Sequence, residues 1–187
     1  ARHFGASLLV SVVGTLGSLL INGLAGYAFA KLQFRGRDRL FQTLAAALVI
    51  PAQVGMLPLF LLLREMGLVN TFAGVAIPYL ANVLGIFMVR QYALSLPDDL
   101  LNAARVDGAS EMKLFWSIVV PTIRPILVTL ATFTFLSAWN DFMWPLVMLS
   151  DARLYTLPVA LANLSGEHVQ DTELMMAGSV LTIMPAL

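Results

Sequence analysis

The sequence predicts an all-α membrane protein, a polytopic bundle of helices that cross the bilayer. Hydrophobic residues make up 59% of the 187 residues and charged residues only 12%, whereas soluble domains carry about 25% charged residues. A soluble fold of this length would leave much of that apolar surface in water. Three runs without an Asp, Glu, Lys, Arg or His, residues 4–30, 40–63 and 66–89, each exceed the roughly 20 residues that cross a hydrocarbon core.

The charge balance and the residue types argue against several other classes. The formal net charge is zero, so nothing indicates nucleic acid or a strongly acidic substrate as a partner. The chain contains no cysteine, which excludes disulfides and thiolate sites. A signal peptide has a shorter apolar region, and it would not recur along the chain.

Five spans are expected from the apolar runs. We place them at about residues 5–30, 40–63, 68–89, 122–149 and 174–187, all in one transmembrane domain. The fifth looks truncated, because the residues after the last charge, Glu173, extend only about 21 Å as a helix. We also expect the N-terminal end to be cut, because the chain starts at Ala1, without an initiator methionine, a few residues before a span.

Loop charges predict how the chain is oriented in the membrane, because lysine and arginine favour the cytoplasmic side. The loop after the first span carries four lysines and arginines, Lys31, Arg35, Arg37 and Arg39, and the stretch from residue 90 to 124 carries another four, Arg90, Arg105, Lys113 and Arg124. Residues 150–173 hold four acids against one arginine, Arg153. We therefore predict that residues 90–121 are cytoplasmic and residues 150–173 extracytoplasmic.

The first span carries small or weakly polar residues along one helical face. They are Ser7, Ser11, Thr15, Ser18, Asn22 and Gly26. Such a stripe lets two helices approach closely in lipid. Packing within the same chain is the favoured interpretation, and an interface with another subunit is the alternative.

Prolines interrupt the second and third spans. Pro51 and Pro58 lie in the second span, and Pro78 lies four residues before Asn82 in the third. Proline removes a backbone donor and kinks a helix. In a membrane such breaks persist only where neighbouring helices or a watery cavity satisfy the freed groups. A protein that moves, or that lines a path, is therefore favoured over a simple anchor.

The end of the fourth span is the candidate solute path. Its residues are Trp139, Asn140 and Asp141, with Trp144 just beyond. A carboxylate is costly in lipid, so Asp141 should face the bundle interior, an aqueous cavity or the headgroups. Two interpretations stay open: an aromatic belt at the outer leaflet, or contact of Asn140 and Asp141 with a solute.

A short polar segment, residues 97–121, lies between the third and fourth spans. Pro97 followed by two aspartates suits the start of a helix, and Gly108 suits its left-handed end. Ser110 can cap a second helix that ends near Pro121. The first helix, about 16 Å long, is predicted to dock into a groove of a partner. A DNA-binding helix-turn-helix is disfavoured, because the segment is tethered between spans and offers few cations for phosphates.

Residues 102–121, NAARVDGASEMKLFWSIVVP, resemble the signature loop of the permease subunits of binding-protein-dependent ABC importers. That loop reads Glu-Ala-Ala, three residues, Gly, nine residues, Ile, one residue, Leu, Pro. The residues that keep its spacing are Ala103, Ala104, Gly108, Ile118 and Pro121. Val120 replaces the leucine. Asn102 replaces the glutamate, which removes a charge that could pair with a basic residue of the ATPase.

Two further stretches, TFTFLSAWNDFMWPLVMLSD and LYTLPVALA, resemble the sugar-importing branch of this family. More narrowly, they resemble its second permease subunit, the kind found in maltose-type and glycerol-phosphate-type systems. The similarity runs from about residue 4 to the end. Because the family typically has six spans, the comparison implies that this chain lacks the first span and the end of the last.

The resemblance implies a fold and a set of partners. The fold is a helical bundle of the ABC importer permease type in a prokaryotic cytoplasmic membrane, and the chain would form half of a path for a sugar or sugar derivative. The implied partners are membrane lipid, a second and non-identical permease, two ATPase subunits and an extracytoplasmic solute-binding protein. The implied ATPase-coupling residues are Asn102, Ala103, Ala104, Asp107, Gly108, Ser110, Glu111 and Pro121. The chain has no phosphate-cradling GxxxxGK loop, so ATP and Mg are expected on the ATPase and no cofactor on this chain.

Three other functions remain as alternatives. An ion-coupled secondary transporter or channel subunit would need several ionisable residues within its spans, where only Asp141 qualifies. A scaffold whose loop binds a soluble factor is the second, and a permease for a non-sugar solute is the third. We expect no enzyme and no metal site, because His3 and His168 lie far apart and no ligand cluster or nucleophile–base pair stands out.

Overall fold

The computed structural model describes residues 2–166 and 172–186, and every regular element within them is helical. The α-helices in chain order are α1 Arg2–Lys31, α2 Arg37–Ala46, α3 Ala52–Glu65, α4 Phe72–Leu80, α5 Val83–Leu94, α6 Asp98–Val106, α7 Glu111–Leu114, α8 Val120–Thr122, α9 Arg124–Asn140, α10 Met143–Met148, α11 Leu157–Gly166 and α12 Thr172–Ile183. Shorter turns are 3₁₀ at Ala47–Val49, Ala152–Leu154 and Met184–Ala186, and π-helical at Phe115–Val119. The predicted all-α fold is confirmed.

Two stretches, Arg2–Lys31 and Phe72–Leu94, are long and apolar enough to cross a membrane. Two pairs of helices qualify only if each pair is one broken span: Arg37–Val49 with Ala52–Glu65, and Glu111–Thr122 with Arg124–Asn140. The described residues therefore offer between two and four candidate crossings. The exact span boundaries and the orientation of the loops stay predictions.

Proline explains the break in the second predicted span, and its two prolines act differently. Ile50 has φ −83° and ψ 118°, the extended conformation that a following proline imposes on its neighbour. Pro51 therefore separates the two helices. Pro58 lies inside α3 without ending it. The predicted interruption is thus found at the first of these prolines.

The fourth predicted span is less regular than its apolar run suggested. Helix α9 ends at Asn140, and α10 begins at Met143. Pro145 has no N–H to donate to the carbonyl of Asp141, four residues earlier. At the same break, Asp141 Oδ1 accepts a hydrogen bond of 3.3 Å from the Trp144 backbone N–H, one of the donors that lack a helical partner at the start of α10.

The residues group into two compact units. Unit 1 contains Ala1–Gly14, Ala52–Pro78 and Thr134–Leu187, and unit 2 contains Thr15–Pro51 and Tyr79–Phe133. Helix α1 contributes its first half to unit 1 and its second half to unit 2. Each unit has its own buried core.

Unit 2 is built on a hydrophobic cluster that joins five helices, α1, α5, α6, α7 and α9, and the π turn. Its buried members are Tyr27, Ala30, Val89, Ala93, Leu96, Leu101, Leu114, Phe115, Val119, Ile123 and Leu130. A Cβ at Gly26 would lie 2.6 Å from Val89 and 3.0 Å from the Arg90 backbone nitrogen. The absence of a side chain at Gly26 therefore allows α1 and α5 to pack closely.

Unit 1 is organised around two buried tryptophans. The Trp139 ring contacts Phe4 edge-on and stacks on Phe135, and its Nε1–H donates to the Thr182 carbonyl at 2.8 Å. The Trp144 Nε1–H donates to the Gly74 carbonyl at 3.3 Å. Pro78 cannot supply the helical hydrogen bond to that carbonyl. The indole thus satisfies a backbone group that the proline leaves open.

The small-residue stripe of α1 is buried inside the chain. Its members Ser7, Ser11, Thr15, Ser18, Asn22 and Gly26 are all buried. Two of its side chains accept hydrogen bonds from the backbone of other segments of the chain. In unit 1, the Leu157 N–H donates to Ser7 Oγ at 2.8 Å, and in unit 2 the Asn82 N–H donates to Asn22 Oδ1 at 3.2 Å. The predicted role in packing within the chain is confirmed.

Candidate functional site

The elbow segment, defined as residues 97–121, begins with the predicted short helix. Pro97 is the N-cap of α6 with ψ 127°, and Asp98 and Asp99 occupy the first turn. Carboxylates are favourable there because they face the positive end of the helix dipole. The helix is nine residues long, which corresponds to about 13.5 Å. This is slightly shorter than the sequence suggested.

Gly108 ends α6 in the predicted way. It has φ +82°, a left-handed conformation that glycine adopts without steric cost. The Gly108 N–H donates to the Arg105 carbonyl, and the Ala109 N–H to the Ala104 carbonyl, both at 3.0 Å. These two bonds are those of a Schellman motif. The turn therefore places Ala104 and Ala109 against each other at the edge of the unit 2 cluster.

Ser110 starts the second half of the elbow segment. Its Oγ accepts a hydrogen bond of 3.3 Å from the Lys113 N–H, and Glu111 is the first residue of α7. The helix widens into the π turn Phe115–Val119, where the Val120 N–H bonds to the Phe115 carbonyl. It continues past Pro121 to Thr122 and then bends by 82° into α9. The predicted cap and the predicted end near Pro121 are both found.

Charged and polar side chains bridge the two halves of the elbow. Arg105 donates through Nε to Glu111 Oε1 at 2.7 Å and through Nη1 to Asn102 Oδ1 at 2.9 Å. Glu111 Oε2 also accepts from the Tyr27 hydroxyl at 2.6 Å. The hydrogen bond from Arg105 holds the pKa of Glu111 below its usual value, partial burial opposes this, and the Tyr27 hydroxyl supports it. The elbow is therefore tied internally by a carboxylate that stays ionised.

The outer face of α6 is apolar and has no cover within the described residues. Leu101 is 1% exposed and faces the cluster, whereas Leu100 is 47% and Val106 88% exposed. With the exposed Ala103, Leu100 and Val106 follow the three-residue spacing of one helical face. The helix is amphipathic, as predicted. Leu101 faces the cluster, and the separate apolar strip of Leu100, Ala103 and Val106 is exposed.

The candidate solute-path residues have three different environments. Trp139 is buried in unit 1. Asn140 is exposed, and its Nδ2 donates back to the Leu136 carbonyl at 2.9 Å. Asp141 is half-buried and accepts from the Trp144 backbone. Their role in a solute path stays a prediction.

The predicted extracytoplasmic loop is described up to residue 166 and from residue 172. The hydrogen bonds of Arg153 hold the pKa of Asp151 at about 2. Asn70 Oδ1 accepts from the backbone N–H groups of Ser150 and Asp151, at 3.1 and 3.0 Å. His3 Nδ1 lies 2.9 Å from the Tyr155 carbonyl oxygen, whereas His168 lies outside the described residues. Within those residues no group of acidic or histidine side chains could hold a metal.

Two contacts of the elbow were missed by sequence reasoning. Tyr27 and Lys31 lie on the first span, and they bind residues 84 and 67 positions further along the chain. Only their spacing of four residues, which puts them on one helical face, could have drawn attention to them. Nothing in the sequence identifies the partners of such distant contacts.

The comparisons with known proteins agree with this geometry. Residues 22–186 match the family described as "Binding-protein-dependent transport system inner membrane component". The chain is similar to the arabinooligosaccharides transport system permease protein AraQ of Halalkalibacterium halodurans, with 41% identity over 97% of this chain and 65% of that protein. It is also similar to the lactose transport system permease protein LacG of Rhizobium radiobacter, with 32% identity over 98% of this chain and 67% of that protein.

A solved structure has the same fold over nearly the whole chain. It is the crystal structure of a bacterial ABC transporter involved in the import of the acidic polysaccharide alginate, with a TM-score of 0.86 and 26% identity. The match covers 99% of this chain and 70% of that one. The chain spans 65% of the length of the H. halodurans relative. With its helical architecture and its elbow, the chain belongs to the family of binding-protein-dependent transport system inner membrane components.

Proposed function

We propose that this chain is a permease subunit of an ATP-driven importer and that it forms half of the translocation path for a sugar or sugar derivative. The observation that carries the proposal is the elbow segment. Its short helix combines the spacing of the family's signature loop with an uncovered apolar face at Leu100, Ala103 and Val106. Such a face suits a groove on another protein.

The solute class rests on the relatives. The two relatives above are named for arabinooligosaccharides and lactose, and the structural neighbour for alginate. A third relative, the permease protein UgpE of Yersinia pestis bv. Antiqua, with 33% identity over 97% of this chain and 67% of that protein, is named for sn-glycerol-3-phosphate. These are sugars, polymers of sugar units, or a small polyol phosphate. A sugar or sugar derivative is therefore the solute class that this chain would carry.

The partners follow from the division of labour in such importers. ATP and Mg are bound by two ATPase subunits, which receive the elbow segment on the cytoplasmic side. A solute-binding protein delivers the cargo to the opposite face, near residues 150–173. A second, non-identical permease completes the path. Closure of the ATPases on ATP pushes α6 and changes which side of the membrane the path opens to.

The alternative of an ion-coupled transporter has less support. Such a protein needs ionisable side chains buried along its path. Among the residues whose burial is described, the buried polar residues are serines, threonines and Asn22. Lys31, whose side chain is 5% exposed, is the last residue of α1. Asp141, the candidate ion site, is half-buried.

The test uses Val106→Glu. The side chain is 88% exposed, so the charge does not disturb the core, but it enters the proposed contact. We expect the variant to insert in the membrane normally and to lose the ATPase on purification, with uptake falling in parallel. Leu94→Glu is the matched control, because it places the same charge at an exposed apolar residue at the end of α5. An unaltered ATPase content and uptake for Val106→Glu would overturn the docking proposal.

A further inference from the structure

The elbow segment is fastened to α1 near both ends of its short helix. Tyr27 and Lys31 lie four residues apart, on one face near the C-terminal end of α1. Lys31 binds where α6 begins, and Tyr27 binds just after the turn that ends α6. We call these two contacts the front clamp (Lys31) and the rear clamp (Tyr27).

The front clamp is a lysine whose side chain is 5% exposed. Its Nζ donates to the Leu96 carbonyl and to Asp98 Oδ1, both at 2.6 Å. A buried ammonium group is costly unless its hydrogen bonds are satisfied, so Lys31 is held in this position. Asp98 is 74% exposed, and solvent screens its share of the interaction. The front clamp therefore fixes the position of the start of α6 more than it adds to the free energy of folding.

The rear clamp is a tyrosine that is 3% exposed. Its hydroxyl donates to Glu111 Oε2 at 2.6 Å, and its ring packs against Phe115 with centroids 5.7 Å apart. Glu111 also accepts from Arg105, near the end of α6. One hydrogen bond thus links Tyr27 to Glu111 of α7, and a second, from Arg105 to Glu111, extends the link to α6.

Two separated attachments restrict α6 in a way that one would not. A single contact would let the helix pivot, whereas contacts near each end of a nine-residue helix allow rotation only if one of them breaks. Between the clamps, Leu101 packs into the same hydrophobic cluster as Tyr27 and Ala30 of α1. The two clamps and Leu101 therefore link α6 to α1 along the length of the short helix.

We propose that Tyr27 and Lys31 are positioning residues that make α1 move with the elbow segment, so that force applied to α6 is transmitted into the first membrane helix. This inference rests on the proposed function, since the force comes from the ATPase. The residues act through Asp98 and Glu111 and touch neither nucleotide nor solute. Their loss should uncouple hydrolysis from uptake while leaving ATPase docking in place.

The test uses the complete transporter reconstituted in liposomes, carrying Lys31→Met or Tyr27→Phe. Each variant deletes the polar group and keeps most of the apolar body. We expect the ATPase to remain bound and to hydrolyse ATP, while the number of solute molecules taken up per ATP falls about five-fold, the lower end of typical coupling between sites. Lys31→Arg, which keeps the cation, should restore most of the coupling.

The matched controls are neighbouring groups outside the clamps. Asp99→Asn is compared with Asp98→Asn, because both aspartates lie in the first turn of α6 and only Asp98 binds Lys31. Tyr92→Phe deletes a tyrosine hydroxyl on the exposed side of α5. Unchanged uptake per ATP in both Lys31→Met and Tyr27→Phe would overturn the inference. Failure of the unmodified chain to retain an ATPase would instead overturn the proposed function.

A second measurement does not depend on the variants. The chain has no cysteine, so spin labels can be placed at Gln33 and Lys113, both exposed. With the clamps intact, the distance between the labels should be the same with and without ATP. A distance that changes with nucleotide would show that α1 and the elbow move separately, which contradicts the inference.

Discussion

Replacing Gly108 tests whether the angle of the elbow segment matters for coupling. Its φ of +82° is a conformation that costs an L-residue about 1–2 kcal/mol. A Cβ at Gly108 would meet no heavy atom within 4 Å, so Gly108→Ala adds strain without a clash. Gly108→Asn should cost less, because asparagine tolerates this region. Gly108→Pro should cost most, because it fixes φ near −65° and removes the N–H that bonds to the Arg105 carbonyl.

The strain should appear first in local opening of the turn. A cost of 1–2 kcal/mol corresponds to a change of about 5- to 30-fold in an opening equilibrium. Hydrogen exchange of the Ala109 amide, which closes the turn on the Ala104 carbonyl, should accelerate by this factor in Gly108→Ala. Uptake per ATP should decrease in the order Asn, Ala, Pro.

Gly36 provides the control for strain alone. It also has φ +82° and open space around a Cβ, but it lies in the loop before α2. Gly36→Ala should accelerate exchange near its own turn and leave uptake unchanged. Normal uptake in Gly108→Pro, or equal uncoupling by Gly36→Ala, would refute the reasoning.

Two further predictions concern pH and the core of unit 1. Because Arg105 lowers the pKa of Glu111, their contact stabilises the elbow above the ordinary glutamate pKa of about 4.3 and is lost as the pH falls through the lowered value. The protection of the elbow amides, measured as the intrinsic exchange rate at each pH divided by the observed rate, should therefore fall in acid. Glu111→Gln should remove that dependence, and an unchanged pH profile of protection in Glu111→Gln would contradict it. Trp144→Phe leaves the Gly74 carbonyl without its donor, which should cost about 1–3 kcal/mol in thermal unfolding. Pro78→Ala restores a backbone donor to that carbonyl, so the double variant should recover part of the loss, and purely additive losses would refute the explanation.

The parts of the structure that the sequence predicts well depend on local chemistry. Gly108, Ser110 and Pro51 act on their immediate neighbours, so the turn, the cap and the helix break can be placed from a few residues. The burial of the α1 stripe follows from helical spacing in the same way. The break after Asn140 was less evident, because the apolar run continues across it and its cause, Pro145, lies beyond it.

The contacts that join distant segments could not be predicted. Tyr27 meets Glu111 and Trp144 meets Gly74 only because of how the helices pack. A single sequence shows that these side chains need partners when buried, but it does not show which ones. The clamps on the elbow segment are therefore a finding of the structure.

The most direct test of the central claim is the accessibility of a single cysteine introduced as Val106→Cys. The position is 88% exposed, and the chain has no other cysteine. A membrane-impermeant thiol reagent should modify it only from the cytoplasmic side, and the bound ATPase should protect it. Modification from the external medium, or equal modification with and without the ATPase, would contradict the proposal that α6 is the surface on which the ATPase acts.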